Sequence, residues 1–410
     1  MRGPTKLGDV LIEIQAGKSF LTSEVLARPD ELGVLKVSAV TWTDFRPDEA
    51  KALLEAYEPA ESHKIKKGDF IISRANTKEF VGAVVLVDGD YPNRLLSDKT
   101  LRLVVDESRV CKEYLLFAMR NPTARKHIEA YATGTSDSMR NISHDVITSI
   151  PLHLPHLSDQ KRIGLQLKTQ LAEVEAARQA TETALCDVES LKVATFSTTF
   201  KQIVPVAPPK NLPIAPDGWQ WKKLTDIAEL ESGHTPSRFR PDWWGGDISW
   251  ISLTEIRSLD GMWVEETQLR TNKDGIANSS ARILPKGTVC FSRTASVGFV
   301  AIMAKPMSTS QDFANWVCGE SLDPEFLMYA LLRSRDDLRT IAEGATHKTI
   351  YMPALHSFHI CVPDPSEEQR LVASLREELK SIDIVRVALE KQLSELKQLP
   401  NRILAQAFES

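Results

Sequence analysis

The sequence predicts an α+β protein: two similar mixed α/β domains separated by two long antiparallel coiled-coil helices, a pseudo-two-fold internal repeat. Three observations predict it. At 410 residues the chain is too long for one ordinary core and suits two domains with connecting elements. A series of short motifs occurs twice in one order. Two stretches of about 40 residues, almost free of Pro and Gly, carry apolar residues at helical spacing. The expected boundaries are a first domain over 1–157, a central long helix over 158–203, a linker over 204–216, a second domain over 217–365 and a C-terminal long helix over 366–410.

The repeat is read motif by motif. Lys6-Leu7-Gly8-Asp9-Val10 returns as Lys223-Leu224-Thr225-Asp226-Ile227, and Lys67-Gly68-Asp69-Phe70-Ile71-Ile72-Ser73-Arg74 as Lys286-Gly287-Thr288-Val289-Cys290-Phe291-Ser292-Arg293. Val81-Gly82-Ala83 parallels Val297-Gly298-Phe299, Glu113 to Met119 parallels Glu325 to Leu331, and Gly134-Thr135-Ser136 parallels Gly344-Ala345-Thr346. Asp159-Gln160-Lys161-Arg162-Ile163 echoes Glu368-Gln369-Arg370-Leu371. Offsets stay between 219 and about 209 with the order preserved, far longer than a solenoid period.

Within each copy a Lys-Gly turn leads into a short apolar run, Phe70 to Ile72 or Val289 to Phe291, whose length suits a buried strand. A second strand is expected at Ala83 to Val87 or Phe299 to Met303. Glu113 to Met119 and Glu325 to Leu332 read as amphipathic helices, the latter opened by Pro324. A Pro-bounded strand closes each copy, Ile150 to Leu154 or Phe358 to Val362. Pro205, Pro208, Pro209, Pro213 and Pro216 mark the linker.

In the long helices Ile163, Leu167, Leu171 and Val174, and Leu371, Leu375, Leu379 and Ile382, follow three- and four-residue steps. Leu185, Val188 and Leu191 share one offset of 208 with Leu393, Leu396 and Leu399, and these six are the candidate helix-pairing residues. Each helix packing on its own domain is the alternative. Pro400 is expected to kink or interrupt the last turns.

Composition narrows the function classes. Hydrophobic residues at 42% and charged residues at 26% describe a globular protein, and no apolar run is long enough for a membrane helix. The first residues hold no signal-peptide pattern, and five scattered cysteines with no C-x-x-C suit neither a disulfide framework nor structural zinc, so a cytoplasmic location is expected. Catalytic motifs fail. Asn121-Pro122-Thr123 lacks the aromatic residue of an amino-methyltransferase site, and no G-x-G loop offers a nucleotide-type pocket. Pro47-Asp48-Glu49-Ala50-Lys51 is too compressed for a nuclease carboxylate cluster and reads as a charged helix start. His153/His156 and His356/His359 have H-x-x-H spacing but lack a third ligand, so they read as structural. Neither a catalytic set nor a metal site is expected.

Two motifs carry a family resemblance. Pro216-Asp217-Gly218-Trp219-Gln220-Trp221-Lys222-Lys223-Leu224-Thr225-Asp226-Ile227 resembles the opening of a target-recognition domain in the specificity subunit of type I restriction–modification systems. Pro363-Asp364-Pro365-Ser366-Glu367-Glu368-Gln369-Arg370-Leu371 resembles that family's transition into a conserved helix, and the order domain, helix, domain, helix matches throughout. The first half departs in lacking the Gly-Trp opening. The resemblance implies that each domain reads one half of a split target in double-stranded DNA while the helices set the spacing. It implies that this chain binds no cofactor, that two methyltransferase subunits dock on it, and that restriction subunits join them. S-adenosylmethionine, ATP and Mg would then be used by those partners. A net charge of −5, from 50 Lys+Arg and 55 Asp+Glu, predicts weak DNA binding by the chain alone.

Candidate DNA contacts follow. Ser73 and Arg74, with Asn76 and Lys78 in the next loop, match Ser292, Arg293 and Thr294; Arg can read guanine and Ser or Thr can hold phosphate. An internal ion pair from either Arg to Asp98 or Asp312 fits equally. Thr135, Ser136, Ser138, Arg140 and Asn141, and Thr346, His347 and Lys348, lie in Gly-led polar segments that differ between the copies, as sequence-reading surfaces should. Thr235, Ser237 and Arg238, beside Trp243-Trp244, form a basic and aromatic patch with no first-half counterpart. The sequence also admits a two-domain protein-binding scaffold, or a methyltransferase or nuclease with an unrecognised motif.

Overall fold

The computed structural model describes residues 5–54, 57–204, 212–344 and 348–408. The chain forms two compact units, Met1–Glu182 with Lys391–Ser410, and Thr183–Glu390.

In the first unit, strands β1 (Leu11–Ala16), β2 (Phe70–Ser73), β3 (Val84–Leu86) and β4 (Thr100–Val105) form an antiparallel sheet in the order β1–β4–β2–β3. Both of its faces are covered. Phe70, Ile72, Val84, Leu101 and Leu103 point to helix α1 (Lys112–Arg120), meeting Tyr114, Leu115 and Ala118. Ile71, Ala83 and Val85 point the other way, into Leu35, Val40, Ala50 and Ile65 around a second sheet of five strands. This two-sided burial explains why the sequence shows a continuous apolar run at Phe70 to Ile72 instead of alternation. A short ladder, Thr5–Lys6 with Pro151–Leu152, returns the end of the domain to its beginning and launches helix α2 (Leu157–Thr199).

The second unit repeats this plan. β5 (Ala228–Ser232), β6 (Val289–Ser292), β7 (Val300–Met303) and β8 (Phe313–Cys318) pair in the same order, β5–β8–β6–β7, with Trp263–Val264 added beyond β7. Val289 and Phe291 face helix α3 (Pro324–Arg333), while Cys290, Ala301 and Met303 face Ile251, Ile256 and Phe313. Gln220–Lys223 pairs with His359–Val362 before helix α4 (Pro365–Phe408) begins. The second sheet shrinks to three strands, yet keeps one parallel pair in each unit: Gly33–Leu35 with Tyr91–Leu95, and Trp244–Ile251 with Ser308–Thr309.

Both units use both long helices. In the first, Leu167 near the start of α2 packs on Phe117 and on Leu404 near the end of α4, with Ile163, Leu171, Ile403 and Phe408 around them. In the second, Phe196 near the end of α2 joins the core that holds Val372 and Leu375 near the start of α4, and Thr195 Oγ1 donates to Glu378 at 3.2 Å. Each unit thus holds the start of one long helix beside the end of the other. Of the expected pairing residues, Leu185, Val188, Leu393 and Leu396 are half-buried, whereas Leu191 and Leu399 are exposed.

Two sequence expectations change and a third narrows, since Pro400 does not interrupt the last turns. Helix α4 continues through Pro400 to Phe408. The missing hydrogen bond and ring clash cost about 3 kcal/mol, offset by Leu404 and by Phe408, whose ring lies 5.4 Å from Tyr114. Pro47 to Lys51 is a turn entering the strand Ala50–Leu53, because Arg94 Nε binds Pro47 O at 2.6 Å and Glu49 binds Lys36 and Ser38 at 2.6 Å, which fixes an extended chain. The repeat at the long helices also shifts by one residue. Gln160 Oε1 accepts from Cys111 N just before α1, and Glu368 Oε1 accepts from Asp323 N just before α3, so Gln160, not Asp159, matches Glu368. In the linker, residues 205–211, including Pro205, Pro208 and Pro209, lie outside the described residues.

Candidate nucleic-acid interface

One end of the main sheet follows the same plan in both units, identical at Arg74 and Arg293 and displaced by one residue at the strand that precedes it. In the first, Gly17 N donates to Ser97 O (3.1 Å), Arg74 N to Lys99 O (2.8 Å) and Ile142 N to Arg74 O (3.0 Å). In the second, His234 N donates to Thr309 O (3.0 Å), Arg293 N to Asp312 O (2.8 Å) and Ile350 N to Arg293 O (2.8 Å). Gly17 and Gly233 are required at the close approach: a Cβ would overlap the backbone at Leu96 in one unit and Thr309 in the other. The polar segment after Gly134 is a hairpin, Thr133–Ser136 with Met139–Asn141, whose second strand pairs with Ala75–Asn76. Bridges Glu343↔Thr349 and Thr294↔Thr349 occupy the same place in the second unit.

The sequence candidates divide on this framework. Ser73 and Ser292 are wholly buried. Ser292 Oγ donates to Ser296 O and accepts from Phe299 N at 2.9 Å, so it shapes its own loop. Ser73 Oγ accepts from Asn76 Nδ2 at 3.2 Å, and the nearly buried Asn76 amide also donates to Val37 O at 3.3 Å. These three side chains are buried and bonded within the unit, a correction to their reading as contacts. Arg74 is exposed and, among the described residues, has no side-chain partner, so the suggested pair with Asp98 does not form. Arg293 is half-buried, and Nη2 donates to Gln311 O at 2.8 Å; no ion pair with Asp312 forms.

Lys78, Ser136 and Ser138 are exposed, and Asn141 is half-buried. Arg140 Nη2 binds Asp137 at 2.8 Å, which lowers the Asp137 carboxyl below its ordinary range. Thr135 lies on the hairpin strand Thr133–Ser136. Lys348 is exposed; its carbonyl accepts from Ala295 N at 2.9 Å, and Ala295 itself holds a left-handed φ of 55°. Thr346 and His347 lie outside the described residues. Thr294 is half-buried beside Thr349, and Thr235 Oγ1 donates to Gln311 Oε1 at 2.6 Å. Ser237 and Arg238 are exposed, the Arg238 guanidinium 5.4 Å from the Trp244 ring and 5.7 Å from Trp250.

Sequence reasoning missed Lys18 and Lys99. Both are exposed at this end, brought beside Arg74 by strand pairing across more than eighty residues. The paired Gly17 and Gly233 were the available signal. Arg257 was also missed: its guanidinium reaches Ser296 Oγ at 3.3 Å and lies 5.6 Å from the Phe299 ring. The end is therefore basic in the first unit and carries arginine on indole in the second, a surface suited to phosphate and base contact. Among the described residues, no three His, Cys, Asp or Glu side chains converge as a metal-ligand set. His153, His156 and His356 are exposed, and the His359 ring contacts Ser357 O at 2.9 Å.

Residues 216–398 match the family described as the type I restriction modification DNA specificity domain. That match takes in less than half of the chain. The MjaIX specificity subunit of Methanocaldococcus jannaschii is 31% identical over 163 residues, a match spanning 39% of this chain and only 38% of that subunit. The HindI specificity subunit of Haemophilus influenzae is 23% identical over 406 residues, covering 83% of this chain and 86% of that one. Among solved structures, a chain of a type I R–M system superposes with a TM-score of 0.73 at 19% identity, covering 98% of this chain and 96% of that chain. The HsdS subunit from Thermoanaerobacter tengcongensis gives 0.64 at 20%, covering 98% and 95%. At these identities the superpositions establish that this chain shares their fold.

Proposed function

We propose that this chain is the DNA-recognition subunit of a type I restriction–modification complex, reading a two-part target with one sheet end per unit. The observation that carries the reading is the same backbone frame at Arg74 and Arg293 presenting different side chains around it: Lys18, Lys78 and Lys99 in one unit, Thr235, Arg238 and Lys348 in the other. Shared backbone with divergent exposed polar groups is what two readers of two different half-sequences need. The chain itself carries no chemistry in this reading. Methyl transfer from S-adenosylmethionine and ATP- and Mg-dependent cleavage belong to two methyltransferase subunits and to restriction subunits that assemble on it. A net charge of −5 makes tight DNA binding depend on those partners. No helix among the described residues is long and apolar enough to cross a membrane.

The test exchanges residues 1–157 for the corresponding domain of another specificity subunit and maps methylation in the host genome. One half of the methylated motif should change and the other should persist. Change in both halves, or in neither, refutes modular reading. Methyl incorporation by the purified chain without partners refutes the non-catalytic assignment.

A further inference from the structure

The second unit carries a loop that the first lacks. After Gly233 the chain makes a turn, Ser237 to Arg240, closed by Arg240 N donating to Ser237 O at 3.2 Å. Phe239 stands at its tip and is 96% exposed. The turn is held by two indoles and one backbone amide. Trp244 Nε1 donates to Ser237 O (3.2 Å), Trp250 Nε1 to His234 O (3.2 Å) and Trp243 N to Arg240 O (3.0 Å). The Trp244 and Trp250 rings meet edge to face at 5.0 Å, with the Arg238 guanidinium against both. Arg240 lies 4.7 Å from Trp243 and pairs with Asp242 at 2.6 Å. A loosely held phenyl would fold back onto the surface. This one is presented to solvent by an anchored turn, with Arg238 and Arg240 on either side of it in the chain, and Arg238 has no carboxylate partner among the described residues.

The loop also belongs to the candidate interface. Thr235 and Arg293 both bind Gln311, so the turn springs from the same sheet end as the Arg293 loop. In the first unit the chain after Gly17 does the opposite: Phe20 is half-buried, packed edge-on against Tyr57 at 4.9 Å. An apolar side chain flanked by cations is the chemistry of residues that wedge between base steps and bend duplex DNA.

We propose that Phe239 is such a wedge, unstacking one base step in the part of the target read by the second unit, so that this half is chosen by deformability as well as by base edges. The inference rests on the DNA-reading function proposed above.

The experiment first selects duplexes from a random-sequence pool with the full-length chain at low salt. End-to-end energy transfer and 2-aminopurine placed at each position of the selected duplex then report bending and unstacking. One step should brighten as the duplex bends. Phe239→Ala should abolish both signals and weaken binding to the selected duplex by about tenfold, with thermal unfolding unchanged because the ring touches nothing. Phe239→Trp should keep both signals. A bend and a bright step that survive Phe239→Ala overturn the wedge, as does a selected duplex that the unaltered chain leaves straight. Selection that enriches no sequence, at a salt where the chain nonetheless retains duplex and again when it is assembled with the methyltransferase subunits, overturns DNA reading itself, and the wedge with it.

Discussion

The same rung of the main sheet is filled differently in the two units. In the first, Arg102 on β4 is nearly buried; it pairs with Asp69 at 2.6 Å and donates to Ser62 O and Lys64 O. In the second, Asn315 on β8 is wholly buried and donates to Thr309 Oγ1 at 2.8 Å. Arg102 lies opposite Ile71, and Asn315 opposite Cys290, the equivalent positions of β2 and β6. One backbone plan thus tolerates a buried ion pair or a buried amide, each partnered on its main groups, although Arg102 Nε and Asn315 Oδ1 are left without a hydrogen bond. The interface shows the same freedom at the surface, where Lys99 in one unit stands where Asp312 stands in the other. Duplication preserved the ladder, and the side chains on it diverged.

The largest effect expected is at the rung itself. Arg102→Met strands the Asp69 carboxylate and several carbonyls and should destabilise the first unit by about 3–5 kcal/mol. Asn315→Ala should cost the second unit only about 1–2 kcal/mol. Chemical denaturation of the two variants decides this, and equal losses would erase the distinction.

Next is the pair Gln160 and Glu368, which hold equivalent backbone amides. Gln160 also donates Nε2 to Arg109 O and Pro155 O. Burial, reinforced by the charge of Asp323, pushes the Glu368 carboxyl up to about 7 from its ordinary 4.5. The folded state therefore holds a proton that the unfolded state releases, so this site's contribution is fully present below pH 4.5 and fades as pH rises through about 7. Glu368→Gln should remove that loss and raise stability by about 2 kcal/mol at pH 8, with little change at pH 4.5. Thermal unfolding at the two pH values reads it, and a gain equal at both would point to packing instead of charge.

Exchanging the surface charges sharpens the interface comparison. Lys99→Asp should weaken DNA binding by the assembled complex and reduce the slope of log affinity against log salt by about one. Asp312→Lys should strengthen binding to any sequence and steepen the slope. Salt-titrated fluorescence anisotropy separates the two, and an unchanged slope in both variants would move the interface elsewhere. The smallest effect is expected at Lys348. Its reversal to Glu should lower affinity about threefold while co-purification with the methyltransferase subunit persists; lost co-purification would assign that loop to docking.

Much of the fold was legible in the sequence because its signals are local. The Lys-Gly turns before β2 and β6, the apolar runs and the Pro-poor helices declare themselves within ten to forty residues. The candidate site was legible only as segments. Ser73 and Asn76 have surface chemistry but are buried, Ser73 because it ends a strand covered on both faces and Asn76 because its amide turns back to Ser73 and Val37. Lys18 and Lys99 join Arg74 only through pairing of β1 with β4 and of β4 with β2. Phe239 could not be distinguished from a core phenylalanine until the three tryptophans were seen holding its turn.

By itself, then, the sequence determined that there are two copies of one domain and two long helices, because repetition and periodicity are properties of the chain. Only the tertiary structure decided that each compact unit takes part of both helices, and which polar side chains face water. Those outcomes depend on contacts between residues far apart in sequence, such as Leu167 with Leu404, and no local pattern encodes which distant surface will cover a given side chain.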